Sequence, residues 1–226
     1  MLPLWDDAPR RRAAVVTASL IAANLGVFIY EVILLLDSPR ALSAFILEYS
    51  LVPTRLVAGY ADGLSWLPVL TSMFLHGGVA HVAGNCWFLW VFGRSVESRL
   101  GSVRYLLLYL LAGLGAAVAQ VALSWSSSVP MLGASGAISG VMGAYLVLFP
   151  TAWVFTLVPW IVPVVPLPAF VLLIVWFALQ MLNGVGALAS DAAAQGGVAW
   201  WAHAGGFLAG LILTIWLRRN GWIKRR

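Results

Sequence analysis

The sequence predicts an all-α integral membrane protein with six transmembrane helices, on three observations. Hydrophobic residues make up 62% of the 226 positions and charged residues only 9%, a balance outside that of soluble globular domains. Six apolar stretches approach the ~20 residues that a helix needs to cross a hydrocarbon core. The basic residues gather at the ends of those stretches. The expected organisation is a short cytoplasmic tail over residues 1–12, a six-helix domain over 13–217 and a basic cytoplasmic tail over 218–226.

The first span is expected near 13–36, preceded by Arg10, Arg11 and Arg12. Its apolar run is longer than a signal-peptide core and no cleavage site follows, so it reads as an uncleaved anchor. The connection from Asp37 to Ser72 carries Pro39, Pro53 and Pro68 among apolar residues such as Phe45, Ile46 and Trp66. That composition predicts a segment folded against the bundle or the interface. Spans two, three and four are expected near 80–97, 103–124 and 134–150. Pro159, Pro163, Pro166 and Pro168 divide an over-long apolar run, which places the fifth span at 166–184 with its helix starting near Leu167. The sixth is expected at 200–217.

If six spans alternate, Arg94, Arg99, Arg104, Arg218, Arg219, Lys224, Arg225 and Arg226 join the first three arginines on one side, leaving Arg40 and Arg55 on the other. The positive-inside rule then puts both termini in the cytoplasm, and a cell (plasma or inner) membrane is the expected location. The net charge of +5 is thus a topology signal, with the lipid bilayer and not nucleic acid as the partner. Lone Cys86 excludes an internal disulfide. Oligomeric state is not encoded in any pattern seen here.

A polar side chain at membrane depth is costly and so a candidate for function. The three histidines are His76, His81 and His203. Spans two, four and six run in the same direction, and His81, Ser135 and His203 all fall in their first turns, at one depth. His81 and Asn85 share one helix face. Gly136 and Gly140, and Gly206 and Gly210, form small-xxx-small stripes that allow close approach of helices four and six. Packing those stripes together brings Ser135 within reach of His203.

A serine hydroxyl becomes a nucleophile when a base takes its proton, and neutral imidazole is the usual base near pH 7. His203 fits that part. His81, Asn85 and the backbone N–H of Ser135 at a helix start have the chemistry to hold an oxyanion. The set reads as a Ser–His dyad, with Asp191 a weak candidate third member. It calls for no metal and no cofactor. His76, before Gly77 and Gly78, reads as structural; Glu97 reads as a loop-bracing acceptor near Arg94 or Arg99, and Glu31 as a side chain reaching the interface. Ser72, Ser124 and Ser126 to Ser128 are expected to line a wet pocket.

Five motifs in order resemble the rhomboid family of intramembrane serine proteases: TSMFLH at 71–76, HVAGN at 81–85, GRSVE at 93–97, GASGA at 133–137 and AHAGGFLAG at 202–210. The resemblance implies six helices around a water-filled cavity open to the extracytoplasmic side. It also implies Ser135 as nucleophile, His203 as base, His81 and Asn85 as oxyanion donors, and Gly133, Gly136, Gly140, Gly206 and Gly210 as packing glycines. The implied substrates are transmembrane proteins, cleaved in or near their membrane segments. The chain departs from the family pattern twice: Ser139 stands where an aromatic often lies under the histidine, and Trp66 is followed by Leu67 and Pro68 in place of an arginine. Two other readings compete: a haem or metal membrane protein that uses the histidines as ligands, and a cleavage-dead binding protein of the same fold.

Overall fold

The computed structural model describes residues 1–59, 66–158, 162–188 and 198–223. Ten α-helices and three strands occur among them. Helix α1 (Val15–Asp37) is the first span, and α2 (Pro39–Tyr49), α3 (Pro53–Val57) and α4 (Leu67–Thr71) lie in the connection after it. The stretch expected as the second span is a composite: α5 (Val79–Phe88) passes through a π-helical turn at Leu89–Gly93 into α6 (Arg94–Leu100). Then come α7 (Ser102–Leu123), α8 (Ser135–Leu148), strands β2 (Trp153–Val158) and β3 (Val162–Pro168), α9 (Ala169–Leu188) and α10 (Trp200–Arg219), with β1 (Leu2–Asp6) at the N-terminus.

Among the described residues, four helices are long and apolar enough to cross a membrane: Val15–Asp37, Ser102–Leu123, Ala169–Gly186 and Trp200–Arg219. Helix α8 has only 14 residues. It sits inside the bundle, with every residue from Gly136 to Tyr145 buried, so protein rather than lipid covers it.

The packing of α8 follows from the small residues around it. A Cβ on Gly206 or Gly210 would run into the carbonyl oxygen of Gly136 or Gly140 respectively. The two stripes predicted to meet are therefore in backbone contact. Helix α7 closes the third side with alanines: Ala116 lies 2.6 Å from the Cβ position of Gly136, and Ala112 faces Gly140. Aromatic bulk fills the far half of the core, where Tyr145 and Phe92 meet edge to face at 5.0 Å.

The expectation of an all-helical chain misses a small sheet. Its order is β1-β2-β3, antiparallel throughout. Pro166 and Pro168 sit on the edge strand β3, where a missing N–H is tolerated. The proline-rich approach to the fifth helix is thus a strand, and the helix begins at Ala169 rather than near Leu167; Pro159 lies outside the described residues.

A buried carboxylate helps to hold the N-terminal segment beside its strand pairing with β2. Asp6 is buried, pairs with Arg10, and accepts hydrogen bonds from Ser95 Oγ at 2.9 Å and the Tyr145 hydroxyl at 2.7 Å. Glu97, expected as a loop-bracing acceptor near Arg94 or Arg99, is 1% exposed and braces the start of α1. It accepts from the backbone N–H groups of Val16 and Thr17 at 2.9 and 2.8 Å, the Thr17 hydroxyl at 2.7 Å and the Ser102 hydroxyl at 2.8 Å. It satisfies the orphan amides at the start of α1 and so fixes that helix to the end of the composite span. Glu31 also turns inward: it is 2% exposed and accepts the backbone N–H of His76 at 3.1 Å.

Candidate active site

The loop before α8 is held from the side of the first connection. Leu51 and Met131 exchange backbone hydrogen bonds at 3.0 and 2.7 Å, and the N–H of Gly133 donates to the carbonyl of Ser72 at 2.8 Å. Ser72 is buried and serves this scaffold, not the wet lining expected of it. Gly133 has φ of +122°, a conformation an L side chain rarely adopts. The chain then turns into α8 with Ser135 as its first residue. No side chain caps that helix start, so the Ser135 hydroxyl is not spent on a cap, and its backbone N–H belongs to the amides left open at a helix N-terminus.

Across the stripe contact, His203 on the first turn of α10 meets Ser135: Nε2 to Oγ is 2.8 Å. Its other ring nitrogen, Nδ1, lies 2.8 Å from Oε1 of Gln180 on α9. An amide oxygen only accepts, so Nδ1 carries the proton and Nε2 of the neutral ring is free to accept from the serine. Two aromatic rings flank the imidazole, Trp176 at 6.0 Å and Trp200 at 6.3 Å between centroids. The aromatic missing at Ser139 is thus supplied by other helices. The Ser139 hydroxyl instead donates to the carbonyl of Ser135 at 2.6 Å. On α7, Gln120 Oε1 accepts the N–H of Ala202 at 3.1 Å, which secures the turn that carries His203.

His81 and Asn85 approach from α5. The backbone N–H of Gly77 donates to His81 Nδ1 at 3.4 Å, which leaves Nε2–H as the ring's donor. A Cβ built on Gly133 would lie 2.7 Å from His81 Nε2 and 3.6 Å from Asn85 Nδ2. Both donors therefore face the small space beside Gly133, two residues before the serine. Asn85 is 7% exposed and its Nδ2 is buried without a hydrogen-bond partner among the described residues. An unpaired buried amide donor costs about 1–3 kcal/mol, a penalty that any acceptor entering the site would remove. His81, Ser135 and His203 are each partly exposed. His76 is a neighbour of the site: its ring meets that of His81 at 5.2 Å, while its Nδ1–H donates to the Phe74 carbonyl at 3.0 Å.

The structure thus brings together Ser135, His203, His81 and Asn85, with Gly133 between them, and seats Gly136, Gly140, Gly206 and Gly210 in the helix contact below. Asp191 lies outside the described residues; the group that meets Nδ1 of His203 is Gln180. Sequence reasoning missed Gln180 although the signal was present, as the one amide within the apolar run from Ala169 to Met181. Nε2 of His203, the nitrogen an axial haem ligand would offer, is taken by the Ser135 hydroxyl.

Helix starts that bring a hydroxyl, an imidazole and a buried amide together, in a chain with four membrane-length helices among its described residues, define a helical membrane protein with a polar cluster inside its bundle. The family model for the Rhomboid domain matches residues 64–220, and the chain belongs to the rhomboid family. It is 46% identical over 81 residues to the rhomboid protease GluP of Bacillus subtilis, covering 36% of this chain and 15% of that protein. It is 32% identical over 161 residues to RHOMBOID-like protein 4 of Arabidopsis thaliana, covering 70% and 36% respectively. With the rhomboid protease AarA of Providencia stuartii it shares 27% identity over 229 residues, 90% of this chain and 72% of the relative. For several of these relatives the chain spans about half their length or less, from 15% to 54%.

Proposed function

We propose that this chain is an intramembrane serine endopeptidase, hydrolysing peptide bonds in or near transmembrane segments of other membrane proteins. The observation that carries the reading is the hydrogen-bonded pair of Ser135 and His203, 2.8 Å apart, beside Asn85 Nδ2 on α5, which has no hydrogen-bond partner among the described residues. Membership of a family whose relatives are named proteases supports it.

In the proposed reaction, His203 Nε2 takes the hydroxyl proton as Ser135 Oγ bonds the scissile carbonyl carbon. The carbonyl π electrons move onto oxygen, and that oxyanion is met by Asn85 Nδ2–H, His81 Nε2–H and the N–H of Ser135. Collapse expels the amine, which takes the proton from His203 Nε2. Water then repeats the sequence on the acyl enzyme, giving up a proton to His203 and releasing the carboxylate. The domain over residues 13–217 crosses the bilayer six times, with the composite span and the protein-wrapped α8 as the two crossings beyond the four long helices. Both termini face the cytoplasm, in a cell (plasma or inner) membrane, and the substrate meets the site near the extracytoplasmic side.

The test needs no known substrate. Detergent-solubilised protein treated with a fluorophosphonate probe is expected to carry one adduct, mapped by mass spectrometry to Ser135, and His203→Ala is expected to abolish it. No adduct in folded wild type would point to the cleavage-dead reading. Asn85→Ala is expected to lower kcat about 10- to 100-fold at unchanged KM, less than the full loss seen in some enzymes because water can enter the partly exposed site. An equal rise in KM and fall in kcat/KM at constant kcat would assign Asn85 to ground-state binding instead.

A further inference from the structure

We infer that Gln180 on α9 is a positioning residue for the proposed base, holding His203 in the tautomer and orientation that deprotonate Ser135. The inference rests on the dyad reading above and adds a third helix to the machinery.

Gln180 is 7% exposed, in a helix whose neighbouring Leu179 and Leu182 are 48% and 68% exposed. A buried amide among apolar residues needs a partner, and its Oε1 lies 2.8 Å from His203 Nδ1. The contact is one point on a continuous α9–α10 face. One turn before Gln180, Trp176 flanks His203 and meets Phe207 at 5.9 Å. Phe177 stacks on Phe207 at 4.9 Å, and a Cβ on Gly184, one turn after Gln180, would come 3.1 Å from the Trp201 ring. The amide is therefore set by packing on both sides, and its direction is not free to wander.

An imidazole that can exchange tautomers presents a protonated Nε2 part of the time, and in that form it cannot serve as base. An acceptor at Nδ1 removes that form. The contact also strengthens during the reaction. Once the serine proton reaches Nε2, the ring is an imidazolium and its Nδ1–H donates a charge-assisted hydrogen bond. Stabilisation that grows toward the transition state acts on kcat more than on KM. A carboxylate in this place would sit as a buried charge in the resting protein; a neutral amide orients the ring without that cost.

Two substitutions separate orientation from packing. Gln180→Met keeps the length of the side chain and removes the acceptor. Gln180→Glu keeps an acceptor whichever way the amide is turned. The readout is the rate constant of fluorophosphonate labelling at Ser135, taken separately from its amplitude, so that misfolded molecules lower the amplitude and leave the rate unchanged. Gln180→Met is expected to label about 10- to 100-fold more slowly, by analogy with the loss of the hydrogen-bond partner behind a metal-binding histidine. Gln180→Glu is expected to recover most of the rate. A methionine variant as fast as wild type, or a glutamate variant slower than the methionine one, would assign Gln180 to packing and overturn the inference while leaving the Ser135 reading intact. Labelling that persists in Ser135→Ala would instead overturn the dyad reading itself.

Discussion

Ser135→Ala is expected to reduce peptide-bond cleavage to background, a loss of at least ~10⁴-fold, while leaving the bundle folded. The size follows from chemistry: alanine has no atom to attack a carbonyl carbon, and no other hydroxyl among the described residues meets His203. Ser139, one turn on, is 2% exposed and already donates to the Ser135 carbonyl. The fold is expected to survive because the hydroxyl makes one side-chain hydrogen bond, to His203, and α8 is held by backbone and glycine contacts that the substitution leaves alone. A net cost of about 1 kcal/mol is expected from that bond. A reporter membrane protein with a Gly-rich transmembrane segment, reconstituted in liposomes with either form, gives the comparison, and thermal unfolding in detergent gives the control. Cleavage of the reporter by Ser135→Ala at the wild-type rate would defeat the mechanism.

Gly206→Val is expected to lower stability by about 3 kcal/mol or more and to abolish labelling of Ser135 together with it. A Cβ at this position meets the Gly136 carbonyl oxygen and carbon and, at 3.4 Å, Ala116. Backbone atoms inside a buried helix cannot turn aside as a flexible side chain does, so α10 must move off α8. His203 lies three residues before Gly206 and Ser135 one before Gly136, so the same displacement opens the 2.8 Å contact. Gly26→Ala serves as the control: nothing lies within 4 Å of its Cβ position, and alanine favours a helix over glycine by about 1 kcal/mol. Unfolding temperature and labelling are read for both. Wild-type values in Gly206→Val would show that the stripe contact does not set the site.

Much of the site was legible because membrane depth makes polarity expensive. Ser135, His203, His81 and Asn85 stand out as polar residues at the starts of apolar runs, and topology gives them one depth before any coordinates are known. The glycines were legible for a related reason, since only small residues let two backbones touch. The same logic applied to Gln180 would have found it, but an amide in the middle of a span offers no sequence partner, and its partner is a ring on another helix. Glu31 and Glu97 were misplaced for the opposite reason. A carboxylate near a span end suits the interface equally well, and only the opened N–H groups of His76, Val16 and Thr17 draw these two inward.

By itself the sequence determined a membrane-embedded helical chain and singled out the polar residues that the fold brings together, because hydrophobic length and the rarity of polar groups are local properties. Only the tertiary structure decided that α8 is a short helix wrapped in protein, that Leu2–Asp6 joins Trp153–Val158 and Val162–Pro168 in a sheet, and that Gln180 and Trp176 attend His203. Each of these depends on which surfaces meet, and that is fixed by long-range packing between segments whose sequences carry no mutual signal.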